Sequence, residues 1–147
     1  MAEILNLENG SCSYQIPVDR IFTEDGCWLK AKGCIVRMGV GDYLQAQAGE
    51  LLRAELKDSG FLVKRNLPLG KLYGEQSQID LIAPLTGKLR LLNPLLRANP
   101  ALINQDPYEQ GWIYEMETFD WDEDRAELLS PIAYLNLMRR RLAGEED

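Results

Sequence analysis

The sequence predicts a mainly β protein of the α+β kind, a small barrel or sandwich with short helices and a C-terminal amphipathic helix. Three observations predict it. Short apolar–polar alternating stretches recur about every eight to twelve residues and close on glycine turns. The run LGKLYGEQSQIDLIAPLTGKL places a polar centre, GEQSQ, between two segments that read as strands. Near the end, Ser130 followed by Pro131 opens a stretch whose apolar positions fall at helical spacing.

The elements follow in order. Residues 1 to about 20 alternate weakly around a turn-like Asn9-Gly10-Ser11 and predict an arm or an edge strand. From Cys27, CWLKA, the Lys32-Gly33 turn and CIVRMGV form a hairpin of branched residues with period two. Asp42 is a candidate N-cap for a short helix that Gly49 stops. The string Gly39-Val40-Gly41 lacks the third glycine and the lysine of a phosphate loop and reads as a strand-to-helix junction.

Leu51 to Leu56 is a strand, and KDSG a turn whose glycine takes positive φ. Phe61 to Val63 begins another strand, interrupted by Pro68. Gly70 to Tyr73 leads into the polar tip, and Asp80 to Leu85 and Lys88 to Leu92 are strands hinged at Thr86-Gly87. Asn99 and Pro100 open a one- or two-turn helix through Ile103, and GWIYEMETF is one more strand, with Trp112, Tyr114 and Met116 on one face. A helix starts near Asp122. The last, from Ser130, aligns Ile132, Leu135, Met138 and Leu142 to pack on the sheet. At 147 residues this is one globular domain. Its arm is 1–20 and its body 21–147, with the sandwich at about 27–118 and the C-terminal helices at about 121–143.

Composition excludes several functions. A net charge of −7, with 16 Lys and Arg and no broad basic stripe, argues against nucleic acid, whose binders depend on neutralising phosphate. The basic run Arg139-Arg140-Arg141 lies where positive charge suits a helix C-terminus. No apolar run approaches the roughly 20 residues of a membrane helix and no signal-peptide pattern follows Met1, so a soluble cytoplasmic protein is expected. With no histidine in the chain, His-dependent triads are impossible. Cys12, Cys27 and Cys34 are expected as reduced, buried or half-buried thiols; Cys27 and Cys34 can approach across a hairpin, yet two thiols without histidine make a poor zinc site. A free-standing enzyme or metal protein is thereby disfavoured, and no metal is expected.

The order GVGDYLQAQAGEL, the glycine of KDSG, the hairpin, DLIAPLTGKLRLLN, NPALIN, PYEQGW and a terminal helix with IAYL resembles the H protein of the glycine cleavage system, a relative of lipoyl and biotinyl carrier domains. The resemblance runs from about Cys27 to the C-terminus. It implies a barrel-sandwich hybrid whose hairpin-tip lysine carries lipoic acid between a pyridoxal-phosphate decarboxylase, a folate-dependent transferase and a dihydrolipoyl dehydrogenase.

Laid without a gap on the family pattern ESVKAASDLYSPVSG, the chain matches at Asp80, Pro84 and Gly87, which puts Gln76 on the lipoyl-attachment position. Gly60 and Gly70 give the same register from the other side. Tyr73 replaces the glutamate associated with recognition by lipoylating enzymes. A carboxamide nitrogen is neither basic nor nucleophilic, so Gln76 is not a competent acceptor and no lipoate cofactor is expected there.

Two readings stay open: a noncatalytic binding, scaffold or regulatory module, and a lipoyl carrier using another lysine among Lys64, Lys71 and Lys88, with Lys71 the nearest to the tip. By resemblance, Tyr73, Glu75, Gln76, Ser77 and Gln78 mark the docking region, and the partners are proteins, with glycine cleavage or lipoate-metabolism enzymes as candidates. Trp112 and Tyr108 align with family aromatics but read as buried core. Asn99 and Asn104 read as residues that cap or bridge turns.

Overall fold

The computed structural model describes residues 3–10 and 12–144. Eleven strands and five helices follow one another as β1 (Ile4–Asn9), β2 (Cys12–Pro17), β3 (Ile21–Phe22), β4 (Cys27–Lys32), β5 (Ile35–Val40), α1 (Asp42–Ala48), β6 (Leu51–Leu56), β7 (Leu62–Val63), β8 (Pro68–Gly74), β9 (Gln78–Ile82), β10 (Gly87–Leu92), α2 (Leu95–Ala98), α3 (Leu102–Gln105), β11 (Tyr114–Thr118), α4 (Trp121–Arg125) and α5 (Pro131–Leu142). They form an antiparallel six-stranded sheet in the order β3-β4-β5-β11-β10-β7, a three-stranded sheet β6-β8-β9, and the hairpin β1-β2. The sheets stack as a sandwich, and the barrel does not close.

Alternation builds the core. In β5, Val36 and Met38 point inward and Arg37 outward; in β8 and β9, Leu72, Ile79 and Leu81 are buried while Lys71 and Asp80 face solvent. Leu29, Leu89, Tyr114 and Met116 complete the layer between the sheets. Burial of this apolar surface, at about 25 cal/mol per Å2, is the main term that holds the two sheets together. Where β11 passes β10 the register shifts between Leu89 and Leu91, a bulge that bends β10 before α2.

A second apolar cluster joins β1, β2 and α5 to the sandwich through Leu7, Ile16, Phe22, Trp28, Tyr134 and Met138. The Phe22 and Tyr134 rings stack 4.5 Å apart and nearly parallel at 4°. Ser130 caps α5 as the sequence implies, its hydroxyl accepting the Ala133 N–H at 3.1 Å with Pro131 at the first turn. Ser130→Ala is therefore expected to lower stability by about 1 kcal/mol in denaturant melts, and Ser130→Asp to retain most of it.

Several local expectations need correction. The Asp42 side chain does not cap α1: Gly41 holds the cap position, and the Asp42 carboxylate instead accepts the Gln15 N–H of β2 at 2.8 Å. The buried stripe of α5 is Tyr134, Leu135, Leu137 and Met138, while Ile132 is 56% exposed, because the helix packs on β1, β2 and β3. Among the described residues Asn99 makes only backbone hydrogen bonds and caps no helix: α3 runs Leu102–Gln105 with Ala101 at its N-cap, and Asn99 instead closes α2, its N–H donating to the Leu95 carbonyl. Cys27 and Cys34 lie at opposite ends of the β4–β5 hairpin, where Cys27 pairs with Val40; Cys27 is buried, and Cys12 and Cys34 are exposed free thiols.

Candidate functional site

The β8–β9 hairpin is the feature that the rest of the fold positions. Its strands pair Tyr73 with Gln78, Leu72 with Ile79 and Lys71 with Asp80, so Gly74, Glu75, Gln76 and Ser77 form the turn. The Gly74 N–H donates to the Ser77 carbonyl at 3.0 Å across it. The side chains of Glu75, Gln76, Ser77 and Gln78 are exposed, and Tyr73 is half-buried. Gln76 thus stands at the apex with its carboxamide in solvent.

The backbone of this turn is held firmly although its side chains are exposed. The Gln76 N–H donates to the Ala48 carbonyl at 2.9 Å, and the Glu75 N–H to the Glu50 carbonyl at 3.0 Å. The Glu75 carboxylate accepts the Glu50 N–H at 3.3 Å, and the Ser77 hydroxyl donates to the Gln47 carbonyl at 3.4 Å. The turn therefore rests on the corner where α1 ends and β6 begins.

Glycine makes that corner possible. Gly49 takes φ 78°, and a side chain there meets the Gln76 Cγ at 3.3 Å; a Cβ on Gly74 lands 2.2 Å from the Ala48 carbonyl oxygen. Asn104 clamps the corner from α3: its Oδ1 accepts the Leu51 N–H at 2.8 Å, and its amide donates to the Gly49 carbonyl at 2.9 Å and to Gln45 Oε1 at 2.7 Å. The bridging role read for Asn104 is thus observed. The support of the tip by Gln47, Ala48 and Glu50 is not visible in sequence, because backbone carbonyls carry no residue-type signal.

On the outer face of the three-stranded sheet, the Tyr73 hydroxyl donates to Glu55 Oε1 at 2.7 Å, Arg53 pairs with Glu55 at 2.8 Å, and the Arg53 guanidinium sits 4.1 Å from the Tyr73 ring centre. The Tyr73 hydrogen bond, with Arg53 beside it, holds the Glu55 carboxyl below its ordinary range; accepting that bond, Glu55 in turn pushes the Tyr73 phenol up. A carboxylate is therefore present next to position 73, but on the neighbouring strand and already paired.

None of the three lysines named above reaches the tip. Lys71 lies within β8 between Glu55 and Asp80, Lys88 within β10 between Leu62 and Glu117, and Lys64 follows β7; all three are exposed. Trp112 and Tyr108 are buried as expected, and the Tyr108 hydroxyl also donates to the Gln15 carbonyl at 2.6 Å, tying β2 to the sandwich. Among the described residues no group of His, Cys, Asp or Glu has the makings of a metal site, and no helix is long and apolar enough to cross a membrane.

Two stacked antiparallel sheets that raise a tight hairpin on a helix corner define a β sandwich of the lipoyl-domain type. The Glycine cleavage H-protein family model matches residues 20–141. The glycine cleavage system H protein of Anaeromyxobacter sp. (strain K) is 34% identical over 120 residues, covering 82% of this chain and 93% of the relative. That of Mycobacteroides abscessus is 36% identical over 104 residues, covering 70% and 79%. The crystal structure of a glycine cleavage system H protein from Mycobacterium marinum matches with a TM-score of 0.73 at 28% identity, over 84% of this chain and 99% of that one. The chain belongs to the glycine cleavage H-protein family.

Proposed function

We propose that this chain is a family member that has lost the lipoyl acceptor, with Gln76 in its place, and that it acts without lipoate as a protein-binding, scaffolding or regulatory module. The observation that carries this reading is Gln76 at the apex of the β8–β9 turn, at the position the family pattern gives to the acceptor lysine. Lipoylation is acyl transfer to an amine. The nitrogen lone pair of a primary carboxamide is delocalised into its carbonyl and is not nucleophilic, so the residues of the tip do not fit the covalent group.

Retention of the scaffold agrees with retained docking. The turn is anchored through backbone hydrogen bonds that do not depend on the residue at position 76, so its shape persists without the lysine. Glu75, Gln76, Ser77 and Gln78 present an exposed polar surface with one carboxylate on the turn itself, and Tyr73 borders it. The partners this surface suits are the enzymes of glycine cleavage or of lipoate attachment, which meet the same tip in lipoylated relatives.

The test is binding of the unmodified chain to a purified pyridoxal-phosphate glycine decarboxylase and to a lipoate ligase, followed by surface plasmon resonance. Measurable affinity for at least one is expected, and Glu75→Lys or Gln76→Arg is expected to weaken it roughly tenfold, about 1.4 kcal/mol, with an unchanged thermal melt. Affinity that neither substitution alters places docking elsewhere on the molecule.

A further inference from the structure

One edge of the sandwich is left open. In the three-stranded sheet β6 pairs with β8 alone. The Lys57 N–H donates to the Leu69 carbonyl, which sets the alternation of the pair: Arg53, Glu55 and Lys57 turn their backbone groups toward β8, and Ala54 and Leu56 turn theirs to the free side. Among the described residues, no hydrogen bond is made to the Ala54 and Leu56 backbone groups on that side. Beside this edge runs a groove of about 590 Å3, with β6 as one wall and Leu91, Leu96 and Arg97 on the other. Leu52 is 59% exposed, Leu91 42%, and neighbouring Leu95 51%.

We propose that this edge pairs with β6 of a second copy of the chain, antiparallel about a twofold axis through Ala54, giving an isologous dimer with a sheet continuous across it. The side-chain order Arg53-Ala54-Glu55 is self-complementary in this register. Ala54 faces Ala54 of the second copy in a pair that exchanges both backbone hydrogen bonds. Arg53 faces Glu55 of the second copy on one side of the axis, and Glu55 faces Arg53 of the second copy on the other. These flanking positions are the closely spaced, non-hydrogen-bonded pairs, where cross-strand charges act most strongly. The Arg53–Glu55 ion pair within each chain becomes part of a four-charge ring.

Two neighbouring registers are repulsive. An axis through Glu55 sets Glu55 against its own copy and Arg53 against Lys57, and an axis through Arg53 sets two guanidiniums face to face. An axis through Leu56 does set Glu55 against Lys57 of the second copy, but it places Arg53 and Ala54 opposite residues beyond the end of β6 at Leu56. A free strand edge attracts any extended segment, and this one selects its own copy by charge. Leu52, Leu91 and Leu95 supply apolar area along the seam.

Sedimentation velocity across a wide concentration range tests the proposal. The native chain is expected to dimerise reversibly. Arg53→Glu is expected to yield monomer by setting like charges across the axis, and Arg53→Glu combined with Glu55→Arg to restore the dimer. In a Cys12→Ser, Cys34→Ser background, oxidised Ala54→Cys is expected to run as a covalent dimer, since the roughly 5.5 Å Cα separation of a hydrogen-bonded pair suits a disulfide. A native chain that stays monomeric, a dimer indifferent to Arg53→Glu, or the absence of the Ala54→Cys cross-link overturns the proposal.

Discussion

Gln76→Lys combined with Tyr73→Glu is expected to turn an unmodified chain into one that is lipoylated in the greater part when produced with an active lipoate ligase. The turn that would present the amine is intact. Gln76 is anchored by its backbone N–H to the Ala48 carbonyl while its side chain is exposed, so a lysine there extends into solvent without moving the turn. The amine supplies the nucleophile that the carboxamide lacks. Gln76→Lys alone is expected to be modified less, since the proposed register puts Tyr73 in place of a recognition glutamate.

The second change has a local cost. Tyr73→Glu removes the hydroxyl that donates to Glu55 and puts a second carboxylate near it, with Arg53 available to bridge both. Adding Glu55→Gln to the double variant is therefore expected to raise modification further or leave it unchanged. Persistent failure of the double variant under peptide mapping means that the hairpin surface has diverged beyond these two positions.

Gly74→Ala is expected to be the most disruptive single methyl at the site. The new Cβ falls 2.2 Å from the Ala48 carbonyl oxygen, an atom that cannot retreat without breaking its hydrogen bond from Gln76. Forcing a methyl into such a contact costs about 1–3 kcal/mol. Beyond the drop in the denaturation midpoint, the amides of Glu75 and Gln76 are expected to lose their protection from hydrogen exchange, because the turn lifts off the corner. Gly10→Ala is the matched control: among the described residues no atom beyond its chain neighbours lies within 4 Å of its added carbon, although its φ of 63° carries a strain of its own. Equal exchange protection in Gly74→Ala and the native chain contradicts the anchoring described here.

Much of this architecture is legible in the sequence where local chemistry decides it. Alternation in CIVRMGV, the glycines that close the turns and the Ser130-Pro131 helix start each report a backbone state directly, and each is found. The polar tip is legible for the same reason, since GEQSQ interrupts two alternating strands. Features decided by distant partners are not. Asp42 looks like a cap until β2 arrives to take its carboxylate, and the α5 stripe widens to Leu137 because the β1–β2 hairpin lies beside it. The free edge of β6 likewise emerges only from the pairing of strands.

The most direct test of the central claim is the intact mass of the native chain, followed by peptide mapping, after production with lipoate and an active lipoate ligase beside a lipoylatable relative. An unmodified chain is expected under conditions that fully modify the relative. A lipoyl adduct on any lysine, Lys71 above all, contradicts it.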